Sequence, residues 1–146
     1  IVEIGTNKSN FVYVALMNCP TVTMDTYDID PDCQNGINLV KSRFPNANLN
    51  FHCGSSFTVL DEKPPHDSPI DLFYVDGLHT YEGAKNDILK AIELGSRYIL
   101  VDDLFDDANN GGVPRAIQEC LLDNNWNKID QTPIEDTRGM AIFSQI

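Results

Sequence analysis

The chain has 146 residues, 42% of them apolar and 22% charged, which is the composition of a globular domain that can bury its own core. Its 22 acidic residues against 10 basic ones give a formal net charge of −12, which argues against nucleic acid or a membrane surface as a partner, since both attract clustered Lys and Arg. No apolar run approaches the roughly 20 residues of a membrane span, no signal peptide is visible, and the four cysteines lack the C-x-x-C spacing of a zinc site. A cytoplasmic location without a disulfide framework is therefore expected.

Short apolar runs alternate with helical patterns from the first residue onward. Short runs of apolar residues predict strands, whereas apolar residues that recur every three or four positions predict helices. In the first half of the chain the patterns predict strands at 1–4, 22–29 and 49–53 and helices at 11–17, 34–44 and 57–61. The segment EKPPHDSP, residues 62–69, is the clearest loop.

The second half continues the alternation and then ends on two strands. Residues 70–75 form an apolar run without alternation, as expected for a strand that is covered on both faces. An amphipathic helix is predicted from Tyr81, with Thr80 as its N-cap and Gly95 as its C-terminal stop. The remaining predicted elements are a strand at 98–101, a helix that starts near Pro114, and a hairpin of strands at about 126–131 and 139–144.

Strands that alternate with helices predict an α/β fold. We expect residues 1–146 to form one domain, a Rossmann-like three-layer sandwich whose mostly parallel seven-stranded sheet ends in a C-terminal antiparallel hairpin. Ligands of such sheets bind beyond the carboxyl ends of the strands. Small or acidic polar residues follow the first five strands: Gly5-Thr6-Asn7, Asp28 with Asp30, Gly54-Ser55-Ser56, Asp76 with His79, and Asp102-Asp103. Each alone is an ordinary turn residue, and only their convergence on one edge of the sheet predicts a binding site.

Three of these carboxylates suit a hard divalent cation. Asp76 and the Asp102-Asp103 pair follow strands that are predicted to be neighbours, and neighbouring strands lie about 4.8 Å apart. Carboxylates this close repel one another unless a cation neutralises them or their pKa values rise. Mg²⁺ prefers oxygen ligands of this kind. The alternative is that one or two of these side chains point away and cap a loop or a helix.

Five motifs together resemble the class I S-adenosylmethionine-dependent methyltransferases: VEIGT, YDIDPD, FHCGSS, IDLFYVDGLHTYEGAKNDI and YILVDD. More narrowly, the segments DLFYVDGLHTYEGAKNDI, LGSRYILVDD and GGVPRAI resemble the metal-dependent O-methyltransferases related to macrocin O-methyltransferase. The resemblance runs from residue 1 to about residue 117, and its specific part lies between residues 71 and 103.

The resemblance implies S-adenosylmethionine as cofactor and assigns roles to the residues at the strand ends. Glu3, Gly5 and Thr6 match the turn that holds the methionine end of the cofactor, and Asp28 matches the acid that binds the ribose hydroxyls. The residues assigned to the adenine side and to further cofactor contacts are Gly54, Ser55, Ser56 and Asp76.

The same resemblance implies a divalent cation, Mg²⁺ or another, held by Asp76, Asp102 and Asp103. It makes His79 the general base, and an imidazole has a pKa suited to taking a proton from a hydroxyl near neutral pH. The expected activity is O-methylation of a small-molecule hydroxyl, such as one on a sugar or a catechol, and a homo-oligomer is compatible with the sequence. His52 and His66 have no comparable neighbours, and residues 106–110 are expected to form a loop over the acceptor pocket or a solvated turn.

Two other classes stay open. The turn GTNKSN carries Lys8 and Ser9 where the family commonly has glycine, and a side chain there would crowd the cofactor. The chain also begins directly on its first strand, whereas related enzymes have helices before it. Both features suit a non-catalytic or cofactor-free domain of the same fold. A dinucleotide-binding oxidoreductase is the weakest alternative, because the G-x-G-x-x-G fingerprint is missing.

Overall fold

A computed structural model of the chain describes residues 1–65, 69–105, 111–132 and 138–145. The chain divides into two compact units, Ile1–His66 and Asp67–Ile146. No helix in the described ranges is both long and apolar enough to cross a bilayer.

The first unit alternates three strands with three helices. In chain order they are β1 (Val2–Ile4), α1 (Asn10–Asn18), β2 (Thr23–Asp28), α2 (Cys33–Arg43), β3 (Asn48–Cys53) and α3 (Ser56–Glu62). The strands are parallel, with β2 between β1 and β3. Apolar side chains of α1, α2, β2 and β3 pack into one core, formed by Val12, Leu16, Met24, Ile37, Val40 and Leu49. Burial of these side chains is the main force that holds the helices on the strands.

The described residues of the second unit form four strands. Its elements are β4 (Leu72–Val75), α4 (Tyr81–Glu93), β5 (Tyr98–Val101), α5 (Gly112–Cys120), a 3₁₀ turn (Leu122–Asn124), β6 (Trp126–Gln131) and β7 (Ala141–Gln145). The strand order is β4-β5-β7-β6, in which β4 and β5 are parallel while β7 is antiparallel to both of its neighbours. A bulge between Lys128 and Asp130 interrupts the hairpin.

The fold class predicted from the sequence is confirmed. The strands form a mixed, Rossmann-like α/β fold of seven strands with a C-terminal antiparallel hairpin. Element bounds differ from the predictions by one or two residues at several ends. The last strand starts at Ala141 because Gly139, where it was expected to begin, has a φ of 67° and turns the chain. Helix α5 begins at Gly112, so Pro114 lies in its first turn, where a missing N–H costs no helical hydrogen bond.

Candidate active site

The turn after β1 has positive φ values at Gly5 and also at two residues that are not glycine. Gly5 has a φ of 93°, and Asn7 and Ser9 also have positive φ values of 42° and 61°. Such values are uncommon for residues with a side chain. Ser9 is buried, and a methyl group placed on Gly36 of α2 would lie 2.7 Å from its Oγ. The side chain of Ser9 therefore packs against α2, while Lys8 is exposed.

A chain of buried hydroxyls ends on Glu3. The parallel register of β1 and β2 sets Glu3 beside Thr26, and Thr26 Oγ1 donates to Glu3 Oε2 at 2.5 Å. The hydroxyl of Thr6 lies 2.5 Å from that of Thr26. Since Thr26 gives its proton to Glu3, Thr6 donates to Thr26. Glu3 is 1% exposed, and these hydroxyls satisfy hydrogen bonds that a buried polar group needs.

Asp28 lies at the end of β2, where two loops meet it. The backbone N–H of Asn7 donates to Asp28 Oδ2 and that of Asp30 donates to Oδ1, each at 2.9 Å. The Cys33 thiol, a weak donor, also hydrogen-bonds to this carboxylate, and the remaining lone-pair capacity of Asp28 can accept from a ligand hydroxyl. Burial and the adjacent Asp28 charge raise the pKa of the Cys33 thiol to about 12, so this thiol stays protonated.

The residues after β3 form the third part of this first-unit site. Gly54 N–H donates to the carbonyl oxygen of Asp28 at 2.9 Å, which ties the two strand ends together. A methyl group on Gly54 would lie 3.0 Å from Val59 Cβ, so α3 packs closely over this glycine. Ser55 and Ser56 are half-buried at the start of α3. The first unit thus brings Gly5, Asp28 and Gly54 to one edge of its strands, as predicted for residues at the ends of parallel strands.

In the second unit, His79 lies between two carboxylates. Its Nδ1 is 2.6 Å from Asp103 Oδ2, and its Nε2 is 3.6 Å from Asp76 Oδ1. An ionised carboxylate can only accept a hydrogen bond, so Nδ1 carries the proton and donates it to Asp103. The lone pair of Nε2 is then on the side of Asp76, at a distance too long for a direct hydrogen bond. This pairing leaves Nε2 able to accept a proton.

The backbone at Asp103 sets this pairing. Asp103 is 2% exposed and has a φ of 57°, a left-handed conformation that is uncommon for aspartate. Its N–H donates to Asp102 Oδ1 at 2.8 Å, and the N–H of Asp102 donates to the carbonyl oxygen of Val75 at 3.0 Å. The turn after β5 therefore directs the Asp103 side chain to His79, and these two hydrogen bonds hold the turn.

Tyr74 joins the two other carboxylates of the site. Its hydroxyl lies 3.0 Å from Asp102 Oδ2 and 3.3 Å from Asp76 Oδ2. Burial and these two carboxylates raise the pKa of Tyr74 above its usual range, so the hydroxyl stays a donor. Burial and the charge of Asp102 raise the pKa of Asp76 to about 7, against the attraction of His79. The predicted repulsion between strand-end carboxylates is thus present between Asp76 and Asp102.

The residues that could bind a metal ion differ in one member from those that the sequence suggested. One ligand atom each from Asp76, His79 and Asp103 lies within 4.8 Å of the other two. The sequence suggested Asp76, Asp102 and Asp103. Asp102 is next to this group, but one of its oxygens accepts from Tyr74 and the other from the N–H of Asp103. Each of these oxygens keeps a lone pair that a cation can use.

Several residues of these sites escaped the sequence analysis. Tyr74 and Thr26 were read only as strand residues, although alternation along a strand puts Tyr74 on the same face as Asp76. The expectation for His52 was wrong: its Nε2 lies 2.9 Å from Asp25 Oδ1, and its ring stacks on Tyr27 with centroids 4.6 Å apart. The β2–β3 register creates this pair. His66 and residues 106–110 lie outside the described residues.

Comparison with known proteins places the chain in a family. A family model described as a methyltransferase domain matches residues 2–104 of the 146. The chain therefore belongs to this methyltransferase-domain family, and its fold and family together define a class I methyltransferase. No curated protein sequence gives a significant match.

Solved structures share the fold at low identity. A candidate RNA methyltransferase from Pyrococcus horikoshii is 13% identical, with a TM-score of 0.72 over 99% of this chain and 74% of that one. TrmN from Thermus thermophilus is 11% identical, with a TM-score of 0.72 over 99% of this chain and 43% of that one. A ribosomal protein L11 methylase from Lactobacillus delbrueckii subsp. bulgaricus is 11% identical, with a TM-score of 0.68 over 99% and 68%. These identities support the fold alone, and this chain spans less than half of the Thermus protein.

Proposed function

We propose that this methyltransferase uses S-adenosylmethionine to methylate a hydroxyl group of a small molecule, with help from a divalent cation. A vicinal diol on a sugar or a catechol is the favoured acceptor, as in the macrocin O-methyltransferase-like family that the motifs resemble. The observation that carries the proposal is the 2.6 Å contact between His79 Nδ1 and Asp103, which leaves Nε2 as a base beside Asp76.

The first unit offers groups that fit the cofactor. Asp28 accepts two backbone hydrogen bonds and one from the weak thiol donor of Cys33, and its remaining lone-pair capacity suits the ribose hydroxyls of S-adenosylmethionine. Glu3 is a buried carboxyl group that accepts a hydrogen bond from Thr26, and an acidic side chain at this turn suits a cationic amino group. The positive-φ turn at Gly5, Asn7 and Ser9 supplies the backbone shape that glycines supply elsewhere in the family, and the side chain of Ser9 packs against α2.

The second unit offers groups that fit a cation. Asp76 and Asp103 place carboxylate oxygens close together beside His79, and Asp102 adds a third carboxylate next to them, so oxygen ligands are available without the imidazole. Burial and then the charge of Asp102 raise the pKa of Asp76, and a divalent cation beside these carboxylates would favour their charged forms. Such a cation supplies Lewis acidity that lowers the pKa of a bound hydroxyl.

The chain's own residues then have distinct tasks. His79 Nε2 takes the proton of the acceptor hydroxyl, while Asp103 holds Nδ1–H and stabilises the imidazolium that results. Tyr74 keeps Asp76 and Asp102 in place through its hydroxyl. Because the sulfonium methyl group of the cofactor is already electrophilic, positioning and deprotonation of the acceptor are the main demands on the protein.

A small acceptor is favoured over RNA. The Pyrococcus protein is a candidate RNA methyltransferase, but its 13% identity supports a common fold and not a common substrate. The present chain has 22 acidic and 10 basic residues, and binding to a phosphate backbone needs clustered positive charge. We therefore assign neither nucleic acid nor a membrane as a partner.

The test is a screen of sugars and catechols for S-adenosylhomocysteine release, with and without Mg²⁺ or Mn²⁺. With an active acceptor, His79→Gln is expected to lower turnover by about 10²–10⁴-fold, the usual effect of removing a general base. His52→Gln is the matched control, since it makes the same change in the other described Asp–His pair. Equal turnover by His79→Gln and wild type would exclude His79 as the base.

The same variant separates two roles for His79. If the imidazole is a metal ligand, His79→Gln abolishes the stabilisation of the folded protein by Mn²⁺ as well as turnover. If it is the base, the variant loses turnover but keeps most of the Mn²⁺ effect. We propose the second outcome, because Nδ1 is committed to Asp103 and Nε2 alone faces the acceptor side near Asp76.

A further inference from the structure

We propose that Tyr81 is a positioning residue for His79, and that one face of α5 holds it in place. The inference rests on the proposed role of His79 as the base. It adds four residues whose hydrogen bonds and ion pairs, within the described part of the chain, do not involve the carboxylates of the site: Tyr81, Gly112, Arg115 and Glu119. We call this group the α5 clamp.

The first observation is the close approach of α5 to the backbone around His79. A methyl group on Gly112 would lie 2.5 Å from the N of Tyr81, 3.0 Å from the carbonyl carbon of Thr80 and 3.1 Å from the carbonyl oxygen of His79. Real side chains do not approach backbone atoms so closely, so this contact needs glycine at the first residue of α5. Helix α5 thus touches three consecutive residues, of which His79 is the first.

The second observation is that the side chain of Tyr81 runs along the same face of α5. Its hydroxyl donates to Glu119 Oε2 at 2.5 Å, and the guanidinium carbon of Arg115 lies 4.0 Å from the centre of its ring. Arg115 Nε donates to Glu119 Oε1 at 2.9 Å. Gly112, Arg115 and Glu119 follow one another at three- and four-residue spacing, so they share one face of the helix. Tyr81 is therefore held at its backbone, its ring and its hydroxyl.

The carboxylate of Glu119 is well suited to this contact. Hydrogen bonds from Tyr81 and Arg115 lower the pKa of Glu119 to about 2, so it is a charged acceptor at neutral pH. Lys85 adds a hydrogen bond from its Nζ to the Tyr81 hydroxyl at 2.7 Å. Hydrogen bonds to a charged group are among the stronger ones in proteins.

The other side of the loop is fixed within α4. A methyl group on Gly83 would lie 2.5 Å from the carbonyl oxygen of Leu78, and the N–H of Gly83 donates to Thr80 Oγ1 at 3.2 Å. The segment from Leu78 to Tyr81 is thus confined between the first turn of α4 and the first turn of α5. Its backbone position determines where the imidazole of His79 meets Asp103, since a side chain with few rotamers follows its backbone.

His79 is therefore held at two points. Its ring donates a hydrogen bond to Asp103, and its carbonyl oxygen lies against Gly112 at the start of α5. The α5 clamp stabilises the contact between Gly112 and the carbonyl oxygen of His79. Loosening the clamp should free the loop and weaken the hydrogen bond from His79 Nδ1–H to Asp103, even in a protein that stays folded.

The experiment measures that hydrogen bond directly. In protein with ¹⁵N-labelled histidine, NMR gives the rate at which the His79 Nδ1 proton exchanges with water, and the signal is assigned by its loss in His79→Gln. The variants are Tyr81→Phe, which removes the hydroxyl, Glu119→Gln, which removes the charge, and Gly112→Ala, which inserts the methyl group. Glu93→Gln is the control, because it makes the same change in an exposed α4 ion pair with Lys90 at 2.8 Å.

We expect the His79 Nδ1 proton to exchange at least about tenfold faster in Tyr81→Phe and in Glu119→Gln than in the wild type. Loss of one hydrogen bond to a charged group corresponds to a factor of this size. The control should match wild type. The proposal is overturned if both variants fold and the His79 Nδ1 proton exchanges at the wild-type rate, whatever their melting temperatures. It is also overturned if this proton is not protected from exchange in the wild type. If Gly112→Ala fails to fold, the other two variants decide. No acceptor or cofactor is needed, so failure here is distinguishable from failure of the proposed methyl transfer.

Discussion

The raised pKa of Asp76 predicts that replacing this residue with asparagine stabilises the protein at alkaline pH. Asp76 lies at the end of β4 with 27% of its side chain exposed, and burial together with the charge of Asp102 raises its pKa from 3.8 to about 7. Asparagine has nearly the same shape and carries no charge at any pH. The variant Asp76→Asn therefore removes the unfavourable charge while it keeps an oxygen near the Tyr74 hydroxyl.

The direction in which pH changes the free energy of unfolding follows from the protonation of Asp76 in the folded and the unfolded protein. Below pH 3.8 the carboxyl group is protonated in the folded and the unfolded protein, so it adds no pH dependence. Between pH 3.8 and about 7 the unfolded protein releases the proton while the folded protein retains it, so the free energy of unfolding falls as pH rises. Above pH 7 the whole penalty is present. A rise from 3.8 to about 7 corresponds to about 4 kcal/mol at most, and because a quarter of the side chain meets water we expect about 2 kcal/mol.

The assay is urea unfolding of wild type and Asp76→Asn at several pH values from 4 to 8, in chelator. We expect nearly equal free energies of unfolding at pH 4 and a variant that is about 2 kcal/mol more stable at pH 8. Asp71→Asn makes the same change at an exposed position before β4 and should follow the wild type. A difference between wild type and Asp76→Asn that stays constant across this pH range would refute the reasoning.

Two further predictions concern the second unit. Mg²⁺ or Mn²⁺ should raise the melting temperature of the wild type at pH 8, because a ligand that binds only the folded state stabilises it. Asp103→Asn should abolish this rise. A wild-type melting temperature that neither cation changes would count against the metal site. Tyr74→Phe should cost about 1.5–3 kcal/mol of stability, since it removes a donor from Asp102 and Asp76, and should weaken the Mn²⁺ effect. Urea unfolding and melting curves measure both effects, and an unchanged Mn²⁺ effect in Tyr74→Phe would show that the hydroxyl does not position the carboxylates.

The sequence predicted the fold well because its elements carry local signals. Pro45 and Gly95 mark helix ends, Thr80 caps α4 by accepting from the N–H of Gly83 at 3.2 Å, and the apolar run before Asp76 has the pattern of a buried strand. Periodicity and turn residues depend on neighbours a few positions away, so they can be read without knowledge of the tertiary structure. The strand-end rule then placed Asp28 and His79 correctly at the ends of strands.

The side-chain partners could not be predicted in the same way. The bond between Thr26 and Glu3 depends on the register of β1 against β2, and the contact between Tyr81 and Glu119 depends on how α4 packs against α5. The orientation of Asp103 depends on a left-handed backbone conformation that aspartate seldom adopts. These features are fixed by tertiary packing, which a single sequence does not reveal.

The most direct test of the central claim is titration calorimetry of the protein with S-adenosylhomocysteine, which needs no acceptor. We predict saturable binding to the wild type, and a loss of about 1.5–3 kcal/mol in Asp28→Ala, because two ribose hydroxyls lose a charged acceptor. Asp32→Ala, an exposed aspartate in the same loop, should bind like the wild type. No detectable binding to the wild type at millimolar S-adenosylhomocysteine would contradict the account and favour a cofactor-free domain of the same fold.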